Sequence, residues 1–159
     1  MEINFKEIGT IHTPFETREG MPVQSVQANG IKGQVVVKEE LVAGLTDLDG
    51  FSHIILIYHF HKSQGYNLKV TPFFDNKTHG VFATRAPKRP NPIGMSVVRL
   101  LSVEKNVLTI ENVDMLDGTP LLDIKPYIAD FDIHPSEKSG WIGNKREKLN
   151  SIKSDKRFE

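Results

Sequence analysis

The chain has 159 residues, enough for one domain with a real core, and its 20 Lys+Arg balance its 20 Asp+Glu to a formal net charge of zero. A uniformly basic nucleic-acid binder is thereby excluded, and any such site must be a local patch. The sequence holds no cysteine, which removes disulfides, thiolate catalysis and Cys-ligated zinc.

The opening stretch "MEINFKEIGT" carries acidic residues and no apolar core, unlike a secretory leader. The longest apolar run, near "IILIYHF", is too short to span a bilayer, so a soluble cytoplasmic protein without a membrane partner is expected. Ile3, Phe5, Ile8 and Ile11 predict a short strand over 3–11. "TPFETREGMPVQSVQANG" is rich in turn formers and predicts a long loop. "GQVVVKEE" is a β-branched strand, and one helical turn is expected from Lys38 to Ala43, ended by Gly44. "SHIILIYHF" is the strongest strand, apolar on both faces as in a central strand covered on both sides. "GVFATRA", "MSVVRLLSVE", "VLTIENVDML" and "PLLDIKPYI" predict further strands, with a hairpin turn at Lys105 and Asn106.

Strands do not alternate with helices, so a βαβ sheet is not expected. Many short strands between Gly, Pro and Asn turns predict a mainly β protein, a small single-domain β-barrel with short helical turns and a C-terminal tail. The domain is expected over 1–135. Residues 136–159 read as a basic tail, with one helix from about Asn144 to Ile152.

The chain lacks G-x-G-x-x-G after a strand, G-x-x-x-x-G-K-[ST] and G-x-S-x-G, so no Rossmann site, P-loop or nucleophile elbow is signalled. The unusual segment is "GVFATRAPKRPNPIGMS", residues 80–96. Pro90 and Pro92 push Arg89 and Asn91 toward extended geometry, and prolines supply no N–H. The expected result is a pre-extended strip whose carbonyls accept hydrogen bonds at little ordering cost. Arg85 and Arg89 can fork onto a carboxylate or phosphate, and Gly94 allows close backbone approach. The bland alternative is a rigid surface connection with solvated charges.

His53, Ile55, Ile57, His59 and His61 share one face of a regular strand. The His-x-His pair invites a metal, but "KSQGYN" offers no acidic partner, so pocket-lining or rim histidines are expected and no metal. In "DMLDGTPLLDIKPY", Asp117-Gly118 signals a turn, and Asp117 is a candidate to accept from sugar hydroxyls or oppose a cation, or simply to cap an Asx-type turn. Asp123, Lys125 and Tyr127 alternate with Leu122 and Ile124. That pattern fits a functional face and a salt-bridged exposed strand equally well.

"IGTIHTPF", "GLTDLDGFSHIILIYHFHKS", "GVFATRAPKRPNPIGMS" and "DMLDGTPLLDIKPY" together resemble the TsaA-like (TrmO) family over roughly residues 5–130. The resemblance implies an S-adenosylmethionine-dependent methyltransferase acting on N6 of threonylcarbamoyladenosine at position 37 of tRNA. It also implies a small barrel and a homodimer with the cofactor near the interface. Carried onto this chain, the cofactor site is Pro22, Val23, Gln24, His61, Lys62, Arg85, Met95, Leu116, Asp117, Gly118 and Thr119. The chain departs from the family where Val23 stands for arginine and Lys62 for glutamine.

In this reading the "RPNP" carbonyls accept from the adenine amine and Arg85 meets the cofactor carboxylate. Lys88, Arg89, Asn91 and Lys125 face the tRNA substrate. Asp117, His61 and Tyr127 are the candidate catalytic bases. The departures keep open a second class, a non-catalytic S-adenosylmethionine- or RNA-binding barrel.

Overall fold

The computed structural model describes residues 1–143 and 151–158. Six strands are β1 (Gly9–His12), β2 (Lys32–Val37), β3 (His53–His59), β6 (Ile93–Glu104), β7 (Val107–Glu111) and β8 (Thr119–Pro126). They close into an antiparallel barrel in the order β1-β2-β7-β6-β3-β8, with β8 returning to β1. A separate two-stranded ribbon pairs β4 (Lys69–Val70) with β5 (His79–Gly80), and one helical turn, α1 (Ala129–Asp132), follows the barrel.

The alternation along each strand sets the core. Ile11, Val35, Val37, Ile54, Leu56, Val98, Leu100, Leu108, Ile110 and Leu121 point inward and are buried. Fully buried aliphatic side chains contribute about 1.5–3 kcal/mol each, and closure leaves no unpaired edge among the six strands. The β6–β7 hairpin turns at Lys105–Asn106 as predicted, with Lys105 in the left-handed region at φ 55°. Asn106 also donates its side-chain amide to the Val37 carbonyl at 2.9 Å, tying the turn to β2.

Several elements differ from expectation. The first strand is only Gly9–His12, because Ile3 and Phe5 are exposed and bury nothing. The turn after β2 is a 3-10 helix over Glu39–Leu45, which runs through Gly44 and stops at Thr46. "GVFATRA" is not a strand beyond Gly80. Val81–Ala83 form a 3-10 turn, and the Thr84 hydroxyl donates to the Val81 carbonyl while accepting from the Ala86 N–H. That fold-back drops Val81 and Ala86 into a second small core with Val70, Phe73 and Phe158. The expected helix from Asn144 to Ile152 falls almost wholly outside the described residues.

Candidate cofactor and substrate cleft

A cleft of about 920 Å³ opens at the end of the barrel where β3 leaves and β6 enters. Its floor is Tyr58, Gly94, Asp114, Met115, Leu116 and Thr119. Gly94 is required there. A Cβ at that position would lie inside the Tyr58 ring and 2.9 Å from Phe60, so only glycine lets the two rings pack over β6.

One wall is the early loop. Pro22, Val23 and Gln24 line the cleft, and the Gln27 side chain fixes them by accepting from the N–H groups of Val23 and Gln24 at 3.2 and 3.0 Å. Arg85 reaches across and donates to Gln24 Oε1 at 2.7 Å. The facing wall is the proline-rich segment, Thr84 to Pro90, continuing to Asn91 and Ile93.

Hydrogen bonds within the chain add to the bracing expected from the prolines. The segment's carbonyls are largely engaged by the chain itself. Pro92 accepts from the Phe60 N–H at 2.8 Å, Asn91 from Ile93 at 2.7 Å, Pro87 from Arg89 at 2.9 Å and Lys88 from Asn67 at 3.3 Å. Arg89 lines the cleft, yet its Nη1 donates to the Thr84 and Ala86 carbonyls at 3.2 and 3.5 Å, so one corner of its fork braces the loop.

The remaining wall comes from the chain end. Pro22 bridges Lys153, Gly20 N–H donates to the Ser154 carbonyl at 3.0 Å, and Ser154 N–H donates to Met21 at 2.9 Å. Phe158 then plugs the second core, and Arg157 donates to the Pro72 carbonyl at 2.8 Å. Trp141, Ile142, Ser154 and Phe158 all line the cleft, which the polar composition of the tail did not signal. The Trp141 indole N–H donates to the Ala83 carbonyl at 2.8 Å and its ring stacks on His79, which pairs with Asp75.

The cleft therefore gathers Pro22, Val23, Gln24, His61, Lys62, Arg85, Met95, Leu116 and Thr119, together with Arg89 and Asn91. His61 leaves the strand after His59 and enters the cleft. Burial holds its imidazole pKa below the usual value, helped by the charges of Lys62, His59 and Arg18, so it is neutral at physiological pH. Asp117 and Gly118 lie outside the cleft. Asp117 accepts from the Thr13 N–H at 3.1 Å and His12 at 3.2 Å, and Gly118 turns the chain at φ 73°. The Thr13 hydrogen bond above all depresses the Asp117 pKa, which makes it a poor base and identifies "LDGT" as a turn that presents Leu116 and Thr119.

Tyr127 does not reach the cleft of its own chain. It packs on His53 at 6.2 Å, at the opposite end of β3, a strand about 20 Å long. Lys125 pairs with Asp123 at 2.8 Å on the outer barrel face, and Lys88 is likewise absent from the lining. Among the described residues, no group of three or more His, Asp or Glu is placed to hold a metal. No described helix is long and apolar enough to cross a membrane.

Sequence reading also missed Asp114. Its carboxylate accepts from Ser96 Oγ at 2.6 Å, and Ser96 is in turn 2.9 Å from the Tyr58 hydroxyl. Burial pushes the Asp114 pKa up to about 6 against the lowering effect of these hydrogen bonds and of Arg85. The alternation of buried Val113 and Met115 around it was the available signal.

The chain is 50% identical to a probable S-adenosyl-L-methionine-binding protein of Pyrococcus abyssi, over 98% of this chain and 85% of that one. It is 36% identical to the mouse tRNA (adenine(37)-N6)-methyltransferase over 79% of this chain, which spans 31% of the mouse protein. A crystal structure of TrmO superposes with a TM-score of 0.76 at 38% identity, covering 88% of this chain and 64% of that one. The profile of the tRNA-methyltransferase O N-terminal domain matches residues 10–133, and the chain belongs to that family.

Proposed function

We propose that the chain is an S-adenosylmethionine-dependent methyltransferase acting on N6 of adenosine 37 in tRNA, with the threonylcarbamoyl-modified base as substrate. It works as a cytoplasmic homodimer. The observation that carries this reading is the cleft itself. Its volume of about 920 Å³ is ample for a nucleoside carrying an amino-acid arm. The lining fits each part of that donor. Met95, Met115, Leu116 and Pro90 give an apolar bed for the adenine, Arg85 offers a fork for the carboxylate, and Gln24 is already oriented by Arg85.

The cofactor supplies a methyl group on a sulfonium, already bonded to a good leaving group. Positioning is then the main task of the protein. The substrate nitrogen is conjugated to the purine and to a carbamoyl carbonyl. It is a weak nucleophile with a comparatively acidic proton, so a nearby acceptor helps. His61 is the candidate of the original three that lies in the cleft, and its neutral imidazole is in the form that takes up a proton. Lys62 and Arg89 line the mouth and suit RNA phosphate or the threonyl carboxylate.

The homodimer is supported by the outer barrel face. Ile55 and Ile57 on β3 lie opposite Val97 and Met95 on β6, and Ile93 extends the stripe. Met95 belongs both to this stripe and to the cleft, which brings the cofactor site to the edge of the proposed contact.

The test is to incubate the protein with methyl-labelled cofactor and matched tRNAs, with and without threonylcarbamoyl at adenosine 37. Label on N6 of the modified tRNA is expected. Binding of the cofactor without transfer to any tRNA would favour a binding module, a reading to which the names of the archaeal relatives lend weight.

A further inference from the structure

Among the described residues that line the cleft, Asp114 is the one carboxylate, set among Arg18, Lys62, Arg85 and Arg89. Its placement is built by the fold. Ser96, buried on β6, commits its hydroxyl proton to Asp114 Oδ1 at 2.6 Å. The Tyr58 hydroxyl, 2.9 Å from Ser96 Oγ, must then be the donor of that second bond. The result is a directed chain from Tyr58 through Ser96 to Asp114. The backbone of Ser25 and of Asp114 itself also favours the ionised form. All of these partners are neutral, and they orient the carboxylate without cancelling its charge. Arg85 acts on it only at longer range, its Nη1 being turned to Gln24. A desolvated anion facing a cavity without a direct counter-ion gains most from an incoming cation with N–H donors.

Resting on the methyl-donor reading above, we propose that Asp114 holds the α-ammonium of the cofactor's amino-acid end, opposite Arg85 on the carboxylate. Together they form a clamp for a zwitterion. The sulfonium is the other cation of the donor, but it carries no N–H. The lone pairs left on a hydrogen-bonded carboxylate are directional acceptors, which an –NH₃⁺ with three donors satisfies. His61 remains the proton acceptor for the substrate, so Asp114 is not required in that role.

The test is calorimetric titration of the wild-type protein and Asp114→Asn with three ligands: S-adenosylmethionine, S-adenosylhomocysteine and 5′-methylthioadenosine. The second lacks the sulfonium, and the third lacks both the sulfonium and the amino-acid end. The expected result is a loss of about tenfold or more for the first two, equal within about twofold, with 5′-methylthioadenosine unchanged. Unchanged binding of that third ligand also reports an intact cleft. A loss confined to S-adenosylmethionine would place Asp114 at the sulfonium and overturn the assignment. Equal loss for all three, or no loss for any, would overturn it as well. A wild-type protein that binds none of the three would overturn both this assignment and the reading beneath it.

A second readout is proton release. With the Asp114 pKa near 6, the free carboxyl is about half protonated at pH 6, and an ammonium draws it to the ionised form. Of the charged and titratable groups that line the cleft with it, Arg18, Tyr58, His61, Lys62, Arg85 and Arg89, Arg85 is the cation that acts on it, and burial pushes the Tyr58 phenol up and out of range. Titration at pH 6 in two buffers of different ionisation enthalpy should show protons released with S-adenosylmethionine. Release that is lost in Asp114→Asn excludes His61, which lines the same cleft, as the source. Equal release with both ligands would overturn the proposal.

Discussion

Phe158 stands edge-on to Phe73, ring centroids 5.1 Å apart and planes at 88°, and so fastens the chain end to the cleft wall. Arg157 covers the other partner of that contact, its guanidinium 5.1 Å from the Phe73 ring centroid. Phe158→Ala should cost about 3 kcal/mol within this small cluster, at the low end for buried aromatics because few residues share it. Hydrogen exchange should quicken over residues 68–86 and leave the barrel strands protected. A uniform loss of protection would show that the two cores are one cooperative unit.

Arg85 and Gln24 form a side-chain bond between the early loop and the proline-rich wall. Arg85→Ala should weaken S-adenosylmethionine binding by about tenfold or more, and Arg85→Lys should recover only part of it, since lysine cannot fork onto a carboxylate. Calorimetric titration checks this. Affinity unchanged in Arg85→Ala would remove the carboxylate assignment.

Two of the three candidate bases, His61 and Asp117, separate cleanly. His61→Gln should lower kcat by about 10²–10⁴ with little change in cofactor affinity. Asp117→Asn should keep turnover near wild type while loosening the turn that Thr13 and His12 hold. The Asp117 pKa is depressed in the fold, so its contribution to stability is present above the ordinary aspartate pKa near 3.9 and is lost as pH falls below it. Asp117 is half exposed, so that contribution is small. Single-turnover rates against thermal melts distinguish the roles.

The outer stripe of β3 and β6 predicts the assembly. Ile57→Asp puts a charge opposite Met95 in the middle of that stripe, on a side chain that does not enter the barrel core. Light scattering should change from a dimer to a monomer, with the fold retained by circular dichroism. A wild-type protein that scatters as a monomer would dismiss the dimer.

The barrel was legible because its strands are short apolar, β-branched runs between turn formers, as in Lys32–Val37 and His53–His59; the alternation lies in their burial. "GVFATRA" was misread because Val81 and Ala86 also bury, but into a second core reached by a 3-10 turn that period-2 counting does not see. The proline-rich wall was found, and of the four "RPNP" carbonyls assigned to a ligand, those of Asn91 and Pro92 accept from the backbone N–H groups of Ile93 and Phe60. Trp141 and Phe158 were lost in a segment whose polar composition hides two aromatic anchors. Asp114 sits three residues before Asp117, where the Asp-Gly turn signal drew the attention. Which acid faces the cleft depends on the path of the chain after β7, and that follows from Asn112 at φ 71° rather than from any local motif.

Asp114 gives a stability test opposite in sign to that of Asp117. Its pKa is raised to about 6 in the fold, so the folded state holds a proton that the unfolded state has released between about pH 4 and 6. Stability from this group is full below about pH 4 and is lost as pH rises through 6. At pH 8 the ionised, desolvated carboxylate is therefore a liability, on the order of 3 kcal/mol. Asp114→Asn removes the charge and keeps an acceptor for the Ser96 hydroxyl. The variant should melt higher than wild type at pH 8 and equal to it or lower at pH 4, while binding S-adenosylmethionine less tightly. A site that gains stability when it loses ligand is the expected mark of a charge retained for binding. Parallel melts at the two pH values decide it, since a variant less stable at both would mean that the Tyr58–Ser96–Asp114 chain serves the fold.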